Sequence, residues 1–181
     1  MKAMDGLFNQ REIMTALGMF RKEKDEFFKK DQNSPLSEDQ RVNFEKLKYY
    51  PENSDLRFEI EMDLIDPPVH VILATSTGDN RDYLHKGNIH FMVGDQDVEL
   101  QVYVDGSGGY FLPFVDATAP KETYGAGRYL EPEEIHPGVF LVDFNLAYNP
   151  FCAYNDRWSC PITPIENRIK VRIEAGEKKF K

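Results

Sequence analysis

From Arg57 to Val104 the chain keeps returning to a period of two, and that rhythm constrains the fold more than any other feature. Phe58, Ile60, Met62 and Leu64 alternate with Arg57, Glu59, Glu61 and Asp63. Successive side chains of a strand point to opposite faces, so this run places one row in a core and the other in water. The same alternation recurs at Ile89, Phe91 and Val93 and again at Val98, Leu100, Val102 and Val104, with a turn over 94–97 between them. The spacing predicts a hairpin. Pro67 and Pro68 are expected to end the first strand, because proline removes a ladder donor. A second strand is expected over 69–74, a turn over 75–80, a turn over 105–109 and a strand over 110–114.

Upstream the period lengthens. Ile13, Leu17, Phe20, Phe27 and Phe28 recur at near-helical spacing, predicting a helix over 11–30 in which Lys24 interrupts the apolar stripe. The charged run 21–25 reads as a solvated helix face with an i, i+4 pair between Arg21 and Asp25. After a break at Asn33, Ser34 and Pro35, Ser37 followed by Gln40 forms the pattern of a capping box, predicting a second helix over 38–47. Phe27, Phe28, Phe44, Tyr49 and Tyr50 are expected to pack this helical part on the rest. The expectation is therefore an α+β, mostly β chain. A helical N-terminal cap (1–50) lies on a β-rich body (55–181), either an antiparallel sheet or a partly closed β-barrel, in one domain spanning 1–181.

Charge narrows the partners. Lys plus Arg total 22 against 31 for Asp plus Glu, a net charge of −9, which argues against nucleic acid and anionic membrane surfaces as partners. Mean hydropathy is −0.55, and no run approaches the length of a membrane span. No secretory signal is read at the N-terminus, so a cytoplasmic location is expected. The oligomeric state has no signature here.

Between Asp116 and Glu177 the text turns dense in polar and aromatic residues: Asp116 to Leu130 (D-A-T-x-x-K-E-T-Y-G-A-G-R-Y-L), Asp143 to Tyr154 (D-F-N-x-A-Y-N-P-x-C-A-Y), Cys160 to Arg168 (C-P-x-x-P-x-E-N-R) and the closing A-G-E at Ala175 to Glu177. With F-R-x-x-K-D-x-F-F from Phe20 and S-P-L from Ser34, the sequence resembles the domain-of-unknown-function family 1684 of bacteria and archaea. The resemblance covers nearly the whole chain. It departs from the family pattern at Phe20, where Trp is expected, and at Pro120, where Gly is expected. The first changes packing, and the second stiffens the loop before Lys121. The family carries no assigned reaction, and fold kinship supplies none.

Read from the residues, 139–145 is a strand with Val139, Leu141, Asp143 and Asn145 on one face and Phe140, Val142 and Phe144 on the other. Asp143 and Asn145 then serve either as a polar anchor for a ligand or as holders of the following turn. Gly125, Gly127 and Arg128 read either as an anion cradle or as a glycine-permitted bend in which Arg128 pairs with Asp143 or Glu166. No P-loop or dinucleotide fingerprint is present, and no cofactor is indicated. Cys152 and Cys160 have seven residues between them, which is not zinc-knuckle spacing, so no metal site is assigned. They remain open among packed free thiols, a disulfide and a metal or nucleophile role.

Two readings compete. In one, Tyr124, Arg128, Asp143, Asn145, Tyr148, Asn149, Glu166 and Asn167 line a pocket for a small, anionic molecule. There Arg128 fixes the anion and Asp143 or Glu166 moves a proton, as a hydrolase or isomerase requires. In the other, the same residues form a hydrogen-bond network locking long loops, in a non-catalytic structural or protein-interaction module.

Overall fold

The computed structural model describes residues 15–181. The first turn of the expected helix, with Ile13, lies outside the described residues. Helix α1 (Ala16–Lys30) starts where the Thr15 hydroxyl accepts from the Gly18 amide at 3.1 Å. Helix α2 (Glu38–Val42) is shorter than expected, and its capping box is present. The Gln40 amide donates to the Ser37 hydroxyl at 3.2 Å and the Ser37 amide to Gln40 Oε1 at 2.8 Å.

The charged run of α1 is solvated at Lys22 and Glu23 but not at Arg21, Lys24 and Asp25. Lys24 turns inward onto Glu177, Asp25 Oδ1 accepts from the Leu47 amide at 2.8 Å, and Arg21 donates to the Tyr50 carbonyl at 3.0 Å while stacking on the Tyr49 ring. The expected Arg21–Asp25 pair is replaced by these long-range partners. Phe28, Phe44, Leu36 and Leu47 close this side around Tyr154, as the aromatic pattern predicts.

Among the described residues eight strands make two antiparallel sheets. One has three strands in the order β1 (Arg57–Glu61), β8 (Val139–Asp143), β7 (Glu133–His136). The other runs β2 (Asp63–Ala74), β3 (Asn80–Val93), β4 (Gln96–Val104), β5 (Tyr110–Phe114), β6 (Arg128–Leu130). The sheets do not close into a barrel. Alternation sets the register: Ile60 faces Phe140 across β1 and β8, and Ile89 faces Leu100 across β3 and β4. A slip of one residue would turn each apolar row to water.

Pro67 and Pro68 do not end a strand. Strand β2 continues through them with a register shift between Leu64 and Val69. It is an edge strand, where an unpaired stretch and its missing donors are tolerated.

The main core lies between the sheets. Phe144 is fully buried there, with the Phe91 and Phe114 rings each 5.2 Å away and Phe58 at 6.2 Å. Burying each such side chain contributes about 1.5–3 kcal/mol. Beyond Arg168 the chain forms no strand yet stays pinned. Ile169 N donates to Val115 O at 2.8 Å, Glu177 N to Ala147 O at 2.8 Å, Lys178 N to Lys48 O at 2.8 Å and Lys179 N to Glu122 O at 2.9 Å. This C-terminal strap joins the helical cap to the β body. Gly176 lets it pass: its φ is +74°, and a Cβ there would stand 2.5 Å from the Ala147 carbonyl oxygen.

Candidate functional site

Two arrangements emerge from the polar-aromatic motifs, a buried network and an open aromatic cleft. The network centres on Arg128 and Glu177, each 1% exposed. Arg128 sits at the start of β6, opposite Phe114. Gly127 makes the preceding bend at φ +104°, where a Cβ would lie 2.6 Å from the Phe114 carbonyl oxygen. The guanidinium donates to the carbonyls of Ile173 (2.9 Å), Glu177 (3.2 Å) and Ala175, and to Asp116 Oδ1 (3.2 Å). Burial pushes its pKa down and the Asp116 carboxylate opposes this. The partner of Arg128 is thus Asp116 and not Asp143 or Glu166. The difference arises because the strap, about 45 residues away in sequence, supplies the other acceptors.

Glu177 receives the Lys24 ammonium on Oε1 at 2.5 Å, and the Asn149 amide (2.9 Å) and Tyr154 hydroxyl (2.6 Å) on Oε2. The same carboxylate, together with burial, holds the Tyr154 phenol well above its ordinary pKa.

Asp143 and Asn145 do lie side by side. Asn145 has passed from β8 into a short 3₁₀ turn (Phe144–Leu146), and its amide nitrogen and Nδ2 donate to Asp143 Oδ1 at 3.0 and 2.8 Å. Asn145 also exchanges a pair of 2.8 Å bonds with the Asn53 backbone, and Arg57 lies 3.6 Å from Asp143 Oδ2. Asn167, fully buried, accepts from the Gln101 amide (2.8 Å) and donates to the carbonyls of Gln101 (2.9 Å) and Pro113 (2.7 Å). Asn149 Nδ2 donates to Lys178 O at 2.9 Å. Glu166 is exposed in the turn Ile165–Asn167. The structure therefore joins Arg128 and Asn149 through the strap. It pairs Asp143 with Asn145 separately, sets Asn167 against β4 and β5, and leaves Glu166 outside these contacts.

Tyr148 belongs to the cleft, a concavity of about 360 Å³. One wall is Arg81 and Tyr83 from β3, Phe111 from β5 and Tyr129 from β6; the other is Tyr148, Pro150, Phe151 and the segment 158–161. The rings order themselves by contact. Tyr83 stacks on Phe111 at 5.2 Å, Phe111 meets Tyr129 edge-on at 4.8 Å, and Phe151 meets Trp158 edge-on at 5.1 Å. Tyr129 and Tyr148 are tied by reciprocal backbone bonds of 2.8 and 2.9 Å, which fixes both rings at the cleft. Tyr148 donates to Glu131 Oε1 at 2.6 Å, and burial followed by this bond keeps its phenol neutral far above the usual range. Arg81 is exposed beside the wall, donating to the Ser159 carbonyl at 2.7 Å. A second hollow of about 420 Å³ shares Glu131, Tyr148 and Phe151, and is completed by Lys24 and the aromatics of α1.

Cys152 and Cys160 meet at the cleft, whose lining includes Cys160. The Cys152 amide donates to Cys160 Sγ at 3.3 Å, the Tyr124 hydroxyl lies 3.9 Å from Cys152 Sγ, and both cysteines are free thiols. Burial, with the neighbouring Cys152, pushes Tyr124 up to about 12. Among the described residues no three His, Cys, Asp or Glu side chains converge as a metal shell. No helix among them is long and apolar enough to cross a membrane.

Sequence reasoning missed Arg81, Tyr83, Phe111, Tyr129 and Trp158. One signal was available. In β5 the run Tyr-Phe-Leu-Pro-Phe is apolar on both faces, which requires a second cover beyond the main core.

No curated protein matches the chain. It is similar to the solution NMR structure of an uncharacterized protein of Haloarcula marismortui, with 34% identity over 90% of this chain and 91% of that one and a TM-score of 0.69. The model of the family described as a protein of unknown function, DUF1684, matches residues 42–178, the stretch that holds both sheets, the cleft and the strap. The chain belongs to that family.

Proposed function

We propose that this protein binds a small, planar, largely apolar molecule with one anionic end in the cleft between Tyr83, Phe111 and Tyr129 on one side and Tyr148, Phe151 and Trp158 on the other. The observation that carries the reading is the gathering of six aromatic rings around one concavity, Tyr83, Phe111 and Tyr129 buried in its floor and Tyr148, Phe151 and Trp158 half-buried at its side, with the exposed cation Arg81 in the lining and the one lining carboxylate, Glu131, engaged by the Tyr148 hydroxyl. Aromatic rings held by backbone bonds and by each other offer stacking area at little entropic cost, and a guanidinium fixes a carboxylate through paired donors. Asn145, Asn149, Asn167 and Arg128 act in this reading as the frame that holds the walls apart. Tyr148 is the residue through which frame and cleft touch, because its ring faces the ligand while its neighbour Asn149 grips Glu177.

Trp158, the single tryptophan of the chain, reports on the cleft directly. Its emission is to be titrated with benzoate, 1-naphthoate and indole-3-carboxylate, each beside the corresponding primary alcohol. Ligands of about ten heavy atoms at the efficiency of small binders give a Kd of about 0.1–1 mM. The expected result is saturation with the carboxylates, weaker response to the alcohols, and about tenfold loss of affinity in Arg81→Gln. An unsaturated response to every carboxylate up to about 10 mM, or affinities unchanged in a folded Tyr148→Ala variant, overturns the assignment.

A further inference from the structure

The binding reading uses neither thiol of the pair Cys152 and Cys160, although Cys160 belongs to the lining of the same cleft. We propose that Cys152 and Cys160 are a reversible oxidation site, in which Cys152 attacks a hydroperoxide and Cys160 resolves the product as an intramolecular disulfide. The backbone brings them together from two independently fixed pieces. Cys152 rides on the 3₁₀ turn Phe151–Ala153. Cys160 is clamped to the turn after β2, where its amide donates to Ser76 Oγ at 3.1 Å and its carbonyl accepts from the Ser76 amide at 2.9 Å. Cys160 Sγ therefore already lies 3.3 Å from the Cys152 amide nitrogen, which sets the two residues against each other. Closing to an S–S bond of about 2.05 Å asks for side-chain rotation in a short loop.

The surroundings choose the attacking sulfur. The Tyr124 hydroxyl lies 3.9 Å from Cys152 Sγ and can donate to it, and a hydrogen bond to the charged form favours the thiolate. With the neighbouring Cys160 as the largest influence, the Cys152 pKa falls to about 6. Cys160 moves the opposite way, through the neighbouring Cys152 and through burial, so the first proton of the pair leaves Cys152. Cys152 is also the more open of the two, being half-buried where Cys160 is buried.

The chemistry balances with a hydroperoxide as the two-electron oxidant. The Cys152 thiolate attacks the terminal peroxide oxygen; the S–O bond forms, the O–O bond breaks, and the departing alkoxide or hydroxide takes a proton from solvent. Cys160 sulfur then attacks the sulfenic sulfur; the S–S bond forms, the S–O bond breaks, and the Cys160 proton leaves with the hydroxide as water. Both sulfurs are oxidised by one electron each and the peroxide is reduced.

The test uses the full chain, treated with a modest excess of hydrogen peroxide, quenched with N-ethylmaleimide and weighed intact without reductant. The expected product is monomeric, lighter by two hydrogen atoms and unlabelled, and dithiothreitol restores both labels. Cys160→Ser is expected to accumulate a dimedone-trapped sulfenic acid at position 152, and Cys152→Ser to lose its thiol at least about tenfold more slowly than Cys160→Ser. The wild-type measurement stands whether or not either variant folds. Stepwise addition of oxygen without loss of the two hydrogens, disulfides only between chains, or equal rates in the two variants overturns the proposal.

Discussion

Replacing Arg128 by Lys tests the claim that one guanidinium holds the strap. The side chain is 1% exposed and serves four acceptors: the carbonyls of Ile173, Ala175 and Glu177, and Asp116 Oδ1. A lysine keeps the charge but presents its donors from one point, so it cannot span acceptors arranged for a planar fork. Charge-assisted bonds contribute about 1.5–3 kcal/mol each; losing two, with partial relaxation, gives about 3 kcal/mol. Arg128→Met additionally strands Asp116 in the interior. Removing one partner of a buried pair costs about 3–5 kcal/mol, and together with the orphaned carbonyls this approaches the whole stability of a typical domain. Guanidinium chloride unfolding gives the global value, and amide exchange at Glu177, Lys178 and Lys179 reads the strap. Arg128→Lys is expected to lower stability by about 3 kcal/mol, with protection at those three amides falling before that of β3 and β4. A loss under about 1 kcal/mol, or strap amides as protected as in the parent, refutes the reasoning.

Asn167→Ala removes a fully buried amide that satisfies the Gln101 amide and the carbonyls of Gln101 and Pro113, so urea unfolding should show a loss of about 2–4 kcal/mol. Asn167→Asp should be no milder, since it keeps the acceptor but replaces both donors with a charge; full stability in either variant would contradict the bond assignment. For Asp25, burial raises the carboxyl pKa above 3.8 despite the Leu47 amide. The folded state then holds this proton more tightly than the unfolded chain, so stability falls as pH rises from 3.8 through the raised value and stays lowered above it. Asp25→Asn is therefore expected to stabilise the protein at pH 7 by at most about 0.5 kcal/mol, since solvent screens this partly exposed site, and to give no gain once pH drops below the unfolded value. A gain that grows toward acid would reverse the assigned sign.

The parts legible in the sequence were those written in neighbouring residues. Alternation gave β1, the β3–β4 hairpin and the buried row Phe140, Val142 and Phe144, because strand geometry converts local spacing into faces. Ser37 and Gln40 gave the cap of α2 for the same reason. Illegible were the pairings made across long stretches of chain. Lys24 looked like an interruption of an apolar stripe because Glu177, the carboxylate that admits it to the interior, lies at the other end of the sequence. Arg128 is the converse case: the expected partners Asp143 and Glu166 belong to later motifs, whereas Asp116 stands twelve residues away in its own motif, and what selects it is the distant strap, whose Ile173 amide donates to the same carboxylate. The cleft escaped because half of it is built from ordinary strand residues, Tyr83 and Phe111, whose covering loops arrive later in the chain.

The strap has a further consequence during synthesis. Lys24 and Glu177 are separated by 153 positions, and a ribosome adding about 5–20 residues per second needs about 8–30 s to cover them. Over that interval the Lys24 ammonium of α1 has no Glu177 to meet, and Phe28, already able to reach Phe44, still lacks Tyr154 for most of it. Helix α1 thus completes its docking late, and the nascent chain is most exposed to holdase capture and to aggregation until residues 171–178 have emerged.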